Sequence, residues 1–311
     1  MNILHGGLSA YEELIILKQV WKKFNSTKVV PYVFTLPFLV TFLIFFLFPI
    51  IRTILMSFQE IIPGSTEWIG LENYRDLFDD TFLKALYNTF IFTFFSVVIL
   101  ILLPMFLAVL LNFSITRFRN PLKMFLFLPA VVSTIVGGVI FRQIFGELDT
   151  SFMNHILSFF SIPPQQWTMH ASTGMFLMVL LAVWRWTGVN ILYFLAGLQN
   201  ISGELYESAD MDGANWFHKF FYIILPSLKP VVLFVMVISV SAGLKMFEES
   251  YVFWQGTSPK NIGLTIVGYI YKEGIALGKM GLGSAAGVIL LILIMLASII
   301  QFKRFGLFEE E

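Results

Sequence analysis

Six stretches of predominantly apolar residues, each long enough to cross a bilayer, govern what this 311-residue chain can fold into. They run over roughly 31–57, 88–112, 122–145, 173–198, 228–254 and 283–303. A hydrocarbon core about 30 Å thick is crossed by about 20 apolar residues in a helix. Inside it every backbone polar group must find a partner within the protein, which leaves only helices and closed barrels. The runs do not alternate and are too long for barrel strands. The expected fold class is therefore all-α: a polytopic membrane protein with six transmembrane helices. Composition agrees, with 57% hydrophobic and 13% charged residues, against roughly 25% charged in soluble chains. That excludes a disordered chain and an ordinary cytosolic enzyme. The net charge of zero offers no field to recruit nucleic acid. The absence of cysteine excludes disulfides and thiolate sites.

Pro31, Pro37 and Pro49 predict a bend in the first span. Gly137 and Gly138 predict close helix approach in the third. Residues 11–24 set Leu14, Leu17, Val20, Trp21 and Phe24 among Lys18, Lys22 and Lys23, which reads as a helix on the membrane surface or as a solvated tail. Orientation follows from lysine and arginine. One side collects Lys18, Lys22, Lys23, Lys28, Arg117, Arg119, Lys123, Lys219, Lys229, Lys303 and Arg304, and the other only Arg75, Lys84, Arg142, Lys260, Lys272 and Lys279. Both termini are expected to be cytoplasmic, with outer loops near 58–87, 146–172 and 255–282. The chain divides into an N-terminal segment 1–30, a membrane domain 31–303 and a tail 304–311. Direct or inverted internal repeats are not evident, which argues against secondary transporters built from inverted halves.

The segment between spans four and five, 199–227, is too long to be a simple connector. Ser202 is placed to cap a helix whose first turn holds Glu204. Gly213 is placed to end that helix and turn the chain. A second helical run from Ala214 to Leu225 is expected to stop at Pro226. Two short helices with an elbow can form a rigid docking knob, or an amphipathic hairpin that only plugs the floor of the bundle.

Glu207-Ser208-Ala209, Gly213, Ile223, Leu225 and Pro226 stand at the spacing of a known signature. The segment resembles the Glu-Ala-Ala loop of permease subunits of ABC importers, with Ser208 in place of the first alanine. Met211-Asp212-Gly213-Ala214, Ala196 to Gln199, Trp68 to Tyr74 and Phe247 to Val252 resemble the sugar-importer branch, with Glu248 where an aspartate is usual. The similarity runs from about residue 30 to 305 and is to the first membrane subunit of maltose-type transporters. The resemblance implies the type I ABC importer permease fold in the cell membrane of a prokaryote. It implies a second related permease subunit, two ATPase subunits that carry ATP and Mg, and an extracellular solute-binding protein. Glu207, Ser208, Ala209, Asp212 and Gly213 would then meet one ATPase subunit.

Charges inside spans are costly and mark pathways or paired sites. Arg185 falls between Trp184 and Trp186 in span four, and Lys245, Glu248 and Glu249 fall in span five. With Asn190 they offer the aromatic faces and planar polar groups that bind sugars, or an internal ion pair that joins helices. The resemblance adds Ser133 and Thr134 after Leu128-Pro129, Val189 after Trp184, and Met246 beside Lys245. Ala130 and Ala182 are small enough to make room there.

The expected function is translocation of a sugar or oligosaccharide by a subunit without an ATPase site of its own. The region near Gly278-Lys279-Met280 departs from a phosphate-binding loop at Glu273 and Met280. His5, His155, His170 and His218 lack metal-ligand spacing, so no cofactor or metal is expected on this chain. The alternatives are an ABC permease for a phosphorylated polyol or acidic saccharide, or an ion-coupled transporter that uses Glu248 and Glu249.

Overall fold

The computed structural model describes residues 15, 26–62, 64–113 and 119–304. Apart from Ile15, the N-terminal helix expected over 11–24 lies outside the described residues, as do residues 305–311. The chain divides into two units, residues 1–55 and 56–311. Among the described residues, five helices are long and apolar enough to cross a membrane, and a bent pair makes a sixth if counted as one span.

The first of these is α1 (Val30–Phe42), a π-helical turn over Leu43–Leu47, and α2 (Phe48–Met56). Pro31 sits in the first turn, where its missing N–H costs nothing. Pro49 is met differently: the Phe48 N–H bonds to the Leu43 carbonyl, five residues back. A proline ring collides with the carbonyl four residues before it, and the wider turn makes room. Phe38, Phe42 and Phe46 stack along one face with centroids 6.3 and 6.0 Å apart.

The second unit opens with an addition to the expected all-helical architecture. The segment after the first span carries an antiparallel hairpin, β1 (Gln59–Ile62) with β2 (Ser65–Trp68), in the register Gln59 to Trp68. α3 (Glu72–Leu77) follows, and Asn73 Nδ2 donates to the carbonyls of Ser57 and Gln59, which pins the hairpin. α4 (Asp80–Phe113) begins two turns earlier than the hydropathy suggested. Asp79 supplies the start, accepting the Phe82 N–H at 2.7 Å.

The third span is not straight. α5 (Arg119–Val131) and α6 (Thr134–Ile144) meet at a bend of 100°. Ser133 is extended at the join, and Val132 closes a tight turn onto the Pro129 carbonyl at 3.2 Å. α6 then leans on α13, described below, where Gly138 has no space for a side chain: a Cβ would fall 1.6 Å from Val252 Cγ1. The glycines thus act as expected, but in a span that is broken.

After α7 (Phe152–Phe159) comes α8 (Ala171–Gln199), the central helix, about 43 Å long at 1.5 Å per residue. It packs along α4 around the buried side chains Ile191, Phe194, Leu195, Ala108 and Val109. Asn190 Nδ2 donates to the Leu100 carbonyl at 2.9 Å, tying the two helices. At Gly188 a Cβ would lie 2.1 Å from the Leu126 carbonyl oxygen, so α5 crosses α8 backbone to backbone.

The elbow segment supplies α9 (Gly203–Met211), α10 (Trp216–Lys219), a π-helical turn (Phe220–Ile224) and α11 (Leu225–Ser227). The fifth span is α12 (Lys229–Leu244) and α13 (Glu248–Trp254), separated by a non-helical step at Lys245–Phe247. α14 (Ile266–Tyr269) widens into π-helical turns to Ala276 and packs on α15 (Met280–Arg304). Gly274 and Gly283 face each other there; a Cβ on Gly283 would lie 2.6 Å from Gly274 Cα.

Candidate functional site

Two places gather the chemistry. The first is a cavity of about 540 Å³ between α4, α8 and the break in the fifth span. Arg185, Trp186 and Asn190 line it from α8, Lys245, Met246 and Phe247 from the break, and Glu248 and Glu249 from α13. The break is what brings charge here. It ends α12 at Leu244 and starts a new helix whose first turn carries both carboxylates, where the helix dipole favours them.

Arg185 stands between the two acids. Its Nη1 lies 3.7 Å from Glu248 Oε2 and 3.8 Å from Glu249 Oε1. The guanidinium also lies 5.3 Å from the Trp186 ring centroid, within cation–π range. Its Nε is buried without a hydrogen-bond partner among the described residues. The two acids differ in setting: the side chain of Glu249 is 11% exposed and that of Glu248 66%. Glu248 also accepts the Thr134 hydroxyl, so one carboxylate joins the break in span three to the break in span five. The ion pair expected as the structural alternative therefore exists, and its edge faces the cavity.

Seven of the residues singled out from sequence meet in this cavity: Arg185, Trp186, Asn190, Lys245, Met246, Glu248 and Glu249. Ser133, Thr134, Trp184 and Val189 do not line it. Thr134 reaches it only through Glu248, and Ser133 starts α6. Trp184 is packing material, its ring 5.5 Å from Phe141 and against Gly137. Ala182 lines the cavity as expected and Ala130 does not. Sequence reasoning missed Phe92, Ser96 and Ser239. For Ser96 and Ser239 the signal was a small polar residue on an otherwise apolar span, and for Phe92 one phenylalanine among 35; both are too common to single out.

The lining carries two cations, Arg185 and Lys245, and two carboxylates, Glu248 and Glu249, so it is balanced in charge. With Trp186 and Phe247 beside them, these groups suit a neutral, hydroxyl-rich molecule.

The second place is the elbow. Ser202 Oγ accepts the Glu204 N–H at 3.3 Å and caps α9 as expected. α9 ends at Met211, the Ala214 N–H closes on the Ala209 carbonyl at 2.9 Å, and Gly213 turns the chain at φ +75°. Asn215 Oδ1 then caps α10 through the His218 N–H at 3.0 Å. Lys219 pairs with Asp210 across the elbow. Tyr206 packs onto the cluster around Phe194 and Leu198, and burial raises its phenol above the usual value. The outer face presents Glu207, Ser208, Asp212 and Gly213, with Ala209 half-buried behind them. One expectation fails here: the second helical run does not stop at Pro226 but continues to Ser227. Leu225 N–H bonds to the Phe220 carbonyl, so a π-helical turn accommodates the proline as at Pro49.

Residues 77–305 match the family described as "Binding-protein-dependent transport system inner membrane component". The chain is 54% identical over 288 residues to the arabinooligosaccharides transport system permease protein AraP of Bacillus subtilis, covering 93% of this chain and 92% of that one. It is 51% identical to the protein of the same name from Halalkalibacterium halodurans, over 92% and 91% of the two chains. A crystal structure of a bacterial ABC transporter involved in the import of the acidic polysaccharide alginate contains a chain with the same fold, at a TM-score of 0.82 and 22% identity, over 94% of this chain and all of that one. The elbow signature, the helical fold and these likenesses agree: the chain belongs to the family of inner membrane components of binding-protein-dependent transport systems.

Proposed function

We propose that this chain is the translocating subunit of an ATP-driven importer of neutral oligosaccharides, with arabinose oligomers as the first class of substrate. The observation that carries the reading is the charge-balanced cavity in which Arg185 bridges Glu248 and Glu249. An acidic or phosphorylated solute would favour a lining of net positive charge, whereas a hydroxyl-rich neutral chain needs planar donors, planar acceptors and an aromatic face. The names of the relatives at 54% and 51% identity support the same class.

In this reading the chain pairs with a second related permease subunit, and an extracellular solute-binding protein delivers the sugar. Two ATPase subunits bind ATP and Mg beneath them. The membrane domain 31–303 is embedded in the cell membrane with both termini in the cytoplasm, and the loop 199–227 faces the ATPases. Glu207, Ser208, Ala209, Asp212 and Gly213 form the contact. The Ser202 and Asn215 caps and the Lys219–Asp210 pair keep the elbow rigid, so closure of the ATPases moves the spans rather than bending the loop. The broken spans give that motion hinges, at Ser133 and at Lys245–Phe247. Arg185, Trp186, Asn190, Lys245, Met246, Glu248 and Glu249 hold the sugar, Thr134 positions Glu248, and Ser133, Trp184 and Val189 shape the wall behind them.

The test is purification of the tagged chain from its native membrane in mild detergent, with co-purifying proteins identified by mass. A related permease and an ATPase are expected. A lone chain or a homodimer that still transports solute after reconstitution would overturn the reading.

A further inference from the structure

A second cavity of about 540 Å³ lies at the end of α8 away from the elbow. Its polar lining comes from Arg142, Glu147, Thr168, Gln255 and Thr257, and its aromatic wall from Trp254. The setting is a constructed one. The Thr168 hydroxyl donates to Glu147, and Trp254 Nε1 donates to the Thr168 carbonyl at 2.9 Å. These bonds fix an acceptor and a ring edge. Arg142 is exposed and has no carboxylate within ion-pair distance among the described residues, so its donors are free. Gln255 leaves α13 in the left-handed region at φ 51°, an uncommon conformation for a residue with a side chain, and lines the cavity.

One helix, α13, contributes to both cavities. Glu249 lines the inner cavity and Phe253 the outer one, four residues apart on α13. At 1.5 Å per residue these two residues lie about 6 Å apart along the helix axis. Both volumes fall within the ~300–1,000 Å³ of ligand pockets. Both linings combine an arginine, a carboxylate, an amide and a tryptophan. Nothing in the coupling or the inner site uses the outer cavity.

We propose that the outer cavity is a second carbohydrate subsite, which holds the following units of an oligosaccharide whose leading units occupy the inner cavity. The inference rests on the sugar-importer reading. It makes chain length, rather than sugar identity alone, a property read by this subunit: an oligomer long enough to reach Arg142 and Gln255 gains contacts that a dimer does not.

The experiment uses the complete importer reconstituted with its binding protein, and compares uptake of a dimer and a pentamer of arabinose. Arg142→Ala removes the free donors. Gln255→Gly removes the amide while keeping the left-handed backbone. Both side chains are exposed, so folding is preserved. The double variant is expected to lower the ratio of pentamer to dimer kcat/KM about tenfold, the effect of losing one or two hydrogen bonds to a bound ligand. An unchanged ratio overturns the subsite. So does an equal loss for both oligomers that excess binding protein restores, which would assign the cavity to protein docking. Failure of the functional reading looks different: the unaltered importer then takes up neither oligomer, and the inference falls with it.

Discussion

Arg185 and Glu249 form a buried pair 3.8 Å apart that joins the central helix α8 to the start of α13. The pair closes one wall of the inner cavity with side chains only 13% and 11% exposed. Arg185→Met leaves the buried Glu249 carboxylate without its cation, which costs about 3–5 kcal/mol, whereas Glu249→Leu still leaves Arg185 beside Glu248 at 3.7 Å. Arg185→Met is therefore expected to lower the thermal unfolding temperature of the complex by more than either Glu249→Leu or the double variant does. All three are expected to lose sugar-stimulated ATPase activity. Normal stimulation in the double variant would make the pair purely structural.

Contact between α6 and α13 depends on the missing side chain at Gly138. Gly138→Ala places a methyl group 1.6 Å from Val252 Cγ1 and 2.6 Å from its Cβ. Overpacking of this kind costs about 1–3 kcal/mol. Yield and stability of the assembled complex should fall. Val252→Gly, which removes both offending atoms, should restore more of the loss than Val252→Ala, which leaves the Cβ. Equal rescue by the two would mean that the helices separate instead.

At the elbow, Gly213 has open space around its Cβ position but a φ of +75°. The constraint is therefore the backbone rather than contact. An L-residue in the left-handed region costs roughly 1–2 kcal/mol, least for asparagine. Uptake should decline in the order Gly213→Asn, Gly213→Ala, Gly213→Val, with Gly213→Pro inactive, while membrane insertion stays constant. Glu207→Lys should abolish uptake without disturbing pairing of the permeases. Normal uptake by both Gly213→Pro and Glu207→Lys would remove the elbow from the coupling path.

The loop after α6 is organised by Asn154, which is 1% exposed. Its amide lies within 3.3 Å of the carbonyls of Gly146, Leu148 and Gln165, and its Oδ1 accepts from the Gln165 N–H and Trp167 Nε1. Asn154→Ala strands several buried polar groups, at about 1–3 kcal/mol for each one left unpaired. Amide hydrogen exchange over 146–167 should accelerate markedly in this variant. Unaltered protection would mean that packing alone holds the loop.

Legibility in the sequence followed the range of the interactions. The spans, the Ser202 cap and the turn at Gly213 rest on local composition and spacing, and they were readable. The cluster of Arg185 with Glu248 and Glu249 was readable because charge in an apolar run stands out. The 100° bend at Ser133 was not: residues on both sides are apolar, and the new direction is set by contacts of Gly138 and Thr134 with α13. The wider turns ahead of Pro49 and Pro226 were missed because the same residues would suit an α-helix, and only the proline ring selects the extra residue. Gly188 against the Leu126 carbonyl and the web around Asn154 join residues far apart in the chain, where periodicity carries no information.

Movement of an oligosaccharide by this chain, on energy supplied by separate ATPases, is measured by a transport assay. The chain, its partner permease and the ATPase are reconstituted in vesicles with the binding protein outside, and labelled arabinose pentamer is followed. Accumulation that requires both internal ATP and the binding protein, and that Glu207→Lys abolishes, is the predicted result. Accumulation by this chain alone, driven by an ion gradient and indifferent to ATP, would contradict it.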